Sequence, residues 1–322
     1  MLIFTTLLAL LPLAAHARFT DPGPHCMVMN GRIIPDAEPS DFNDFDKKIP
    51  YDPDFNLGEG LEWGDVLLMP DVERSLFDRN ASEYGVTKSV EVTIEFVPIG
   101  DRSIFQGETA VRRAELIPYP HDKKRIVASS MKLRFSLQFD PQRALNYSHE
   151  YSLVSMQSKD YTKIQWSLST GTAQNPDVAA EDPQSLQIRG STAADVPQEL
   201  FFETPFTEGW HNFEMDLHFV NNSMQVSYST GWDLPKPIGP LIENDLSGLG
   251  FYQIGLQKKP TDAVPGDSTK TGYQESGIEE GMIYGGIFIM DNTDRGCVIK
   301  QRYDACCYNV GELDGKPVEG LY

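Results

Sequence analysis

The chain has 322 residues and a formal charge of −20, and 40% of its residues are hydrophobic. So acidic a chain is repelled by phosphate backbones, which argues against nucleic acid as a partner. No Walker loop, Rossmann fingerprint, His-Glu-x-x-His or Gly-x-Ser-x-Gly is present, so nucleotide, dinucleotide, zinc-protease and esterase readings lose their usual support.

Met1 to Ala17 is an apolar run closing on Ala15-His16-Ala17, the pattern of a secretory signal peptide. It is too short for a bilayer, which needs about 20 apolar residues. The expectation is a secreted, extracellular protein, free of the membrane once residues 1–17 are removed. Residues 18–322 are expected to form one β domain, working as a monomer, with a cysteine-containing extension from about residue 292. Residues 18 to 85, rich in Pro, Asp and Gly, read as extended loops with one short strand near Cys26 to Met29. From Val86 the pattern changes to period 2. Val90 to Phe96 and Met131 to Phe139 alternate apolar with polar or charged residues. Arg112 to Leu116 is a short strand before Pro118, and Tyr147 to Gln157 is another candidate. Phe213, Met215, Leu217 and Phe219 alternate with polar residues before Asn221-Asn222-Ser223 turns the chain into Met224 to Tyr228, a hairpin. Lys258 to Gly281 reads as a long loop between strands. Helical periodicity is nearly absent, so the fold class is all-β: a jelly roll or two-sheet sandwich with long loops.

Cysteines occur at 26, 297, 306 and 307, with no Cys/His set at metal-ligand spacing, so neither a metal nor an organic cofactor is expected. A disulfide from Cys26 to the cluster of Cys297, Cys306 and Cys307 is expected, with Cys297 the favoured partner. Asn80, Asn146 and Asn221 are glycosylation candidates in Asn-x-Ser sequons. On the strand from Arg112, period 2 puts Arg113 and Glu115 on one face, where a guanidinium can hold a carboxylate ionised and oriented. A solvated ion pair fits the same pattern. Along the next strand, parity places His149, Tyr151, Leu153, Ser155 and Gln157 together, a mixture suited to sugar contact or to an ordinary polar edge. His211 falls on the apolar side of its strand. Trp166, Trp210, Trp232 and Tyr228 are candidates for stacking on sugar rings, or else core residues.

Arg112-Arg113-Ala114-Glu115-Leu116-Ile117-Pro118 resembles a strand of glycoside hydrolase family 131, the fungal broad-specificity β-glucanases. Leu145 to Tyr151, Phe206 to Phe213, Tyr228 to Gly231 and Gly281 to Ile289 follow in the family's order, so the similarity runs from about Asn30 to Cys297. The resemblance implies a β-jelly roll, a β-glucan substrate with β-1,3, β-1,6 or β-1,4 linkages, and inverting hydrolysis. It gives Glu115 as the catalytic carboxylate with His211 as an assisting group, and beside it the parity and stacking readings offer Arg113, His149, Tyr151 and Tyr228 as substrate contacts. Where the family has a second Glu before a Ser, this chain has Gln157-Ser158, and Gln cannot exchange a proton as a carboxyl does. Asp160 is a nearby substitute of different parity. Two alternatives therefore stand beside the hydrolase: a non-catalytic or weakly active glucan-binding relative, and a polysaccharide lyase using Arg113, Gln157, His149 and Tyr151.

Overall fold

A computed structural model describes residues 26–44, 49–53, 58, 60–78, 86–95, 107, 109–119, 125–194 and 197–293. The signal-peptide reading of residues 1–17, the sequon at Asn80, and Cys297, Cys306 and Cys307 lie outside the described residues. Cys26 is buried and disulfide-bonded.

The regular secondary structure of the described chain is nearly all strand. The short β1 (Met27–Asn30) comes first, then a one-turn helix α1 (Trp63–Val66), β2 (Leu67–Leu68) and β3 (Val90–Glu95). The middle holds β4 (Arg112–Leu116), β5 (Ser130–Phe139), β6 (Glu150–Gln157), β7 (Ile164–Gly171), β8 (Ser185–Arg189) and β9 (Leu200–Pro205). Next come β10 (His211–His218), β11 (Ser223–Thr230), the two-residue β12 (Lys236–Pro237) and β13 (Ile242–Glu243), β14 (Phe251–Lys258) and β15 (Glu279–Asp291). The expected hairpin is β10–β11, its turn carried by Asn222 at φ 47°. The long loop expected before Gly281 joins β14 to β15.

Two antiparallel sheets stack face to face, as expected for a two-sheet sandwich. The larger runs β12-β11-β10-β5-β15-β3-β2, with β1 on β15 and β13 on β11; the smaller runs β4-β14-β6-β7-β8-β9. Alternation explains the core. Leu133, Phe135 and Leu137 of β5 and Phe213, Met215 and Leu217 of β10 turn inward from the larger sheet. Ala114, Leu116, Trp166, Leu168, Leu186, Ile188, Tyr252, Ile254 and Leu256 meet them from the smaller one. Phe135 stacks on Phe213 across the β5–β10 pair, with centroids 5.3 Å apart. Each such large apolar side chain stabilises the fold by about 1.5–3 kcal/mol. With the core filled from one side of each sheet, the other side of the smaller sheet is left to polar residues, and there the site lies.

Candidate active site

On β4 the alternation that turns Ala114 and Leu116 inward sends Arg113 and Glu115 to the outer face. The Arg113 guanidinium donates from Nε to Glu115 Oε2 at 2.7 Å and from Nη2 to the same oxygen. Both side chains are over nine-tenths buried. This is no solvated ion pair. A carboxylate so placed is oriented, and the guanidinium favours its ionised form.

Polar side chains extend from this pair across the sheet in register. Arg113 stands opposite Gln257, Gln257 opposite Ser152, Ser152 opposite Ser169, and Ser169 opposite Gln187. A second row runs Gln253, Ser155, Ser167, Arg189. Glu115 lies opposite Gly255, between the two rows on β14. Ser155 donates to Gln253 Oε1 at 3.0 Å, and Gln253 Nε2 donates to Gln157 Oε1 at 3.1 Å. Gln157 thus shares the face with Glu115, two strands away. Amides and hydroxyls dominate this surface, a composition suited to a neutral polyhydroxylated ligand.

The face expected for β6 is corrected. Register shifts lie between Ser152 and Val154 against β7 and between Ile254 and Gln257 against β14. Leu153 and Val154 both enter the core, so a bulge absorbs one residue and reverses the alternation. Glu150 and Ser152 before the bulge, and Ser155 and Gln157 after it, share the outer side, while Tyr151 turns inward. The carbonyls at the two irregularities are not wasted. Tyr284 of the opposite sheet donates its hydroxyl toward Leu153 O (3.0 Å) and Gly255 O (2.7 Å). Burial, and secondarily the charge of Glu115, push the Tyr284 phenol well above its ordinary pKa, so it stays a donor.

The remaining candidates stand apart from this face. Tyr151 is fully buried and hydrogen-bonds Glu280 at 2.9 Å. His149 is also buried, its Nδ1 2.8 Å from Lys259 O and its Nε2 2.7 Å from Glu275. His211 does lie on the apolar side of β10, where its Nε2–H donates to Thr207 O at 3.0 Å and its Nδ1 accepts from the Tyr228 hydroxyl at 2.8 Å. Tyr228 packs inward on Phe213 and Phe202. Asp160 sits in the β6–β7 turn, accepting from Ser158 and Thr162. Trp166 is core, Trp210 is buried with Nε1 donating to Glu73 O at 2.7 Å, and Trp232 packs beside the small cluster around Cys26, Phe77 and Phe288. Asn146 and Asn221 are exposed.

Sequence reasoning passed over Glu150, Arg189 and Lys259. Glu150 Oε1 accepts from Arg189 Nη1 at 2.9 Å and Lys259 Nζ at 2.7 Å, and Oε2 accepts from Gln174 N at 2.6 Å. Burial opposes its ionisation, but Lys259 and Arg189 prevail and bring its pKa down to about 2. A cavity of about 410 Å³ opens beside it, lined by Ser152, Ser169 and Gln257 among others. The alternation in Gln165-Trp166-Ser167-Leu168-Ser169 and Leu186-Gln187-Ile188-Arg189 carried the signal for these strands.

Chains of known structure share this fold. A glycoside hydrolase family 131 β-glucanase catalytic domain from Podospora anserina superposes with a TM-score of 0.62 at 15% identity, covering 83% of this chain and 96% of that one. The catalytic domain of a family 131 protein from Coprinopsis cinerea gives 0.58 at 16% identity, covering 83% and 95%. At such identities the likeness speaks for the fold. No curated protein sequence matches. The family model for the glycoside hydrolase 131 catalytic N-terminal domain matches residues 27–295, from β1 past the end of β15, and on that span the chain belongs to glycoside hydrolase family 131.

Proposed function

We propose that the protein is a secreted enzyme that hydrolyses β-glucan on the outer face of the six-stranded sheet, with Glu115 as its catalytic carboxylate. The observation that carries this reading is the Arg113–Glu115 pair, buried and oriented at the head of two rows of amides and hydroxyls. Family membership supports a glycoside hydrolase, and the likeness to the Podospora β-glucanase supports a glucan.

Inverting hydrolysis uses a base that activates water and an acid that protonates the leaving oxygen, with roughly 6.5–9.5 Å between carboxyls. A carboxylate held by a guanidinium suits the base. Among the described carboxyls on or beside this face, Glu150 is ionised down to about pH 2, Asp160 is turned into its own loop, and Glu203, opposite Gln187 on β9, lies five strands from Glu115, so none of these suits the acid. Gln157 has no proton to exchange, and its amide is held by Gln253. This last contact favours a second reading, a weakly active glucan-binding relative. The lyase alternative finds less support, because Arg113 and Arg189 each already hold a carboxylate rather than standing ready for a uronate.

One experiment separates them: reducing-sugar release from β-1,3-, β-1,6- and β-1,4-glucans by the natural protein, Glu115→Gln and Gln157→Glu. Glu115→Gln is expected to lose at least about a hundredfold in kcat, the scale of a missing acid–base group. Equal activity would remove Glu115 from the mechanism. Turnover seen only in Gln157→Glu would establish the binding-protein reading.

A further inference from the structure

The cavity beside Glu150 lies away from the reacting carboxylate yet belongs to the same surface. Gln257 lines it and stands directly opposite Arg113, while Ser152 is one strand further on. At about 4.8 Å per strand, Ser152 is about 10 Å from β4. At its base the carboxylate of Glu150 is fixed by Arg189 and Lys259, and the Arg189 guanidinium is fixed in turn by Gln187. Arg189 is buried, while the Lys259 side chain keeps about a third of its surface exposed. Among the cavity's described lining residues there is no aromatic ring, so a ligand here is held by hydrogen bonds rather than by stacking.

Resting on the reading of this face as glucan-binding, we propose that the cavity is a remote subsite that holds one glucosyl unit by a pair of adjacent free hydroxyls, with Glu150 and Lys259 as its specificity-determining residues. A fixed carboxylate beside an ammonium group places an acceptor next to a donor. That is the complement of two neighbouring hydroxyls, one donating and one accepting. An internal β-1,4-linked glucose offers its 2- and 3-hydroxyls as such a pair, and a β-1,6-linked one offers 2, 3 and 4. An internal β-1,3-linked glucose offers none, since the linkage consumes the oxygen between positions 2 and 4. The carboxylate stays ionised across the working pH range, so the site holds sugar without moving a proton.

The test is equilibrium binding of β-1,4- and β-1,3-linked glucohexaoses to Glu115→Gln, alone and with Lys259→Met or Ser152→Leu added, each checked by its thermal midpoint. Lys259→Met removes the exposed donor, and Ser152→Leu fills the cavity without touching the ion pairs. Both are expected to weaken the β-1,4 hexaose roughly tenfold, the scale of one charged hydrogen bond, and to weaken the β-1,3 hexaose, which has neighbouring free hydroxyls only at its chain ends, distinctly less. Unaltered binding of both sugars in both folded variants overturns the subsite. Equal weakening of both sugars overturns the hydroxyl-pair rule. If neither hexaose binds Glu115→Gln, the glucan reading itself fails, and this one with it.

Discussion

His211 illustrates how a residue's neighbours decide its work. Its two ring nitrogens are satisfied by Thr207 O and the Tyr228 hydroxyl, and Phe206 packs edge-on at 5.2 Å. Burial lowers its pKa against the smaller opposing effect of the Thr207 carbonyl. The unfolded histidine titrates near 6.5, so the folded protein prefers the neutral ring and the unfolded chain takes up the proton first. Its contribution is complete above about pH 6.5 and is lost as the pH falls toward the lower folded value. We expect the urea midpoint of the natural protein to fall on that interval more steeply than that of His211→Asn, with kcat at neutral pH retained by the variant. Parallel midpoint curves would show that the ring is not held neutral, and a collapsed kcat would return His211 to the chemistry. In the sequence, parity already placed His211 inward, and the same parity put Arg113 beside Glu115. Tyr228 was harder to place, because a half-buried aromatic in a strand reads equally as a stacking platform or as core until its partners Phe202 and Phe213 are known.

At the scale of elements, β4 and β14 together position the Glu115 carboxylate, to which we assign the catalytic role. Gly255 faces Glu115 across the ladder, and a Cβ on residue 255 would overlap the Ala114 carbonyl and stand 2.8 Å from Glu115 Cα. Both obstacles are backbone, so a side chain there displaces β4 rather than a flexible neighbour. Gly255→Ala is therefore expected to lower kcat at least tenfold on glucan and to reduce stability by about 1–3 kcal/mol, the usual cost of overpacking. Retention of full activity would mean that Glu115 is not held by this strand contact. The same region shows why one strand was misread. The alternation of β6 looks continuous from His149 to Gln157, and nothing local marks the bulge at Leu153. Its stabilising partner, the hydroxyl of Tyr284, comes from a strand 131 residues later in the chain. The β7, β8 and β14 strands were open to the period-2 pattern, but their polar positions are Ser and Gln, residues that attract little notice until the sheet lines them up.

For the molecule as a whole, the two sheets are joined at one end of the sandwich by charge as well as by apolar packing. Lys258 of β14 has no exposed side-chain surface, and its Nζ donates to Glu280 of β15 at 2.7 Å and to Glu275 of the intervening loop at 2.5 Å. Tyr151 of β6 lies under the ammonium, 5.6 Å from ring centroid to Nζ, and donates its hydroxyl to Glu280. Asn146 Nδ2 donates to Glu275 at 2.9 Å, which ties the loop before β6 into the same cluster. Burial opposes the ionisation of Glu275, yet the hydrogen bonds from Lys258 and Asn146 bring its pKa to about 2. Removing a single partner from such a buried set strands an opposite charge, at a cost of about 3–5 kcal/mol, whereas replacing both partners by apolar groups is often nearly neutral. Lys258→Met should therefore lose stability on that scale in urea unfolding, and adding Glu280→Leu should restore more than half of it. A loss below about 1 kcal/mol in the single variant would mean that Glu280 finds water there, and that the apolar layer alone holds the sheets together.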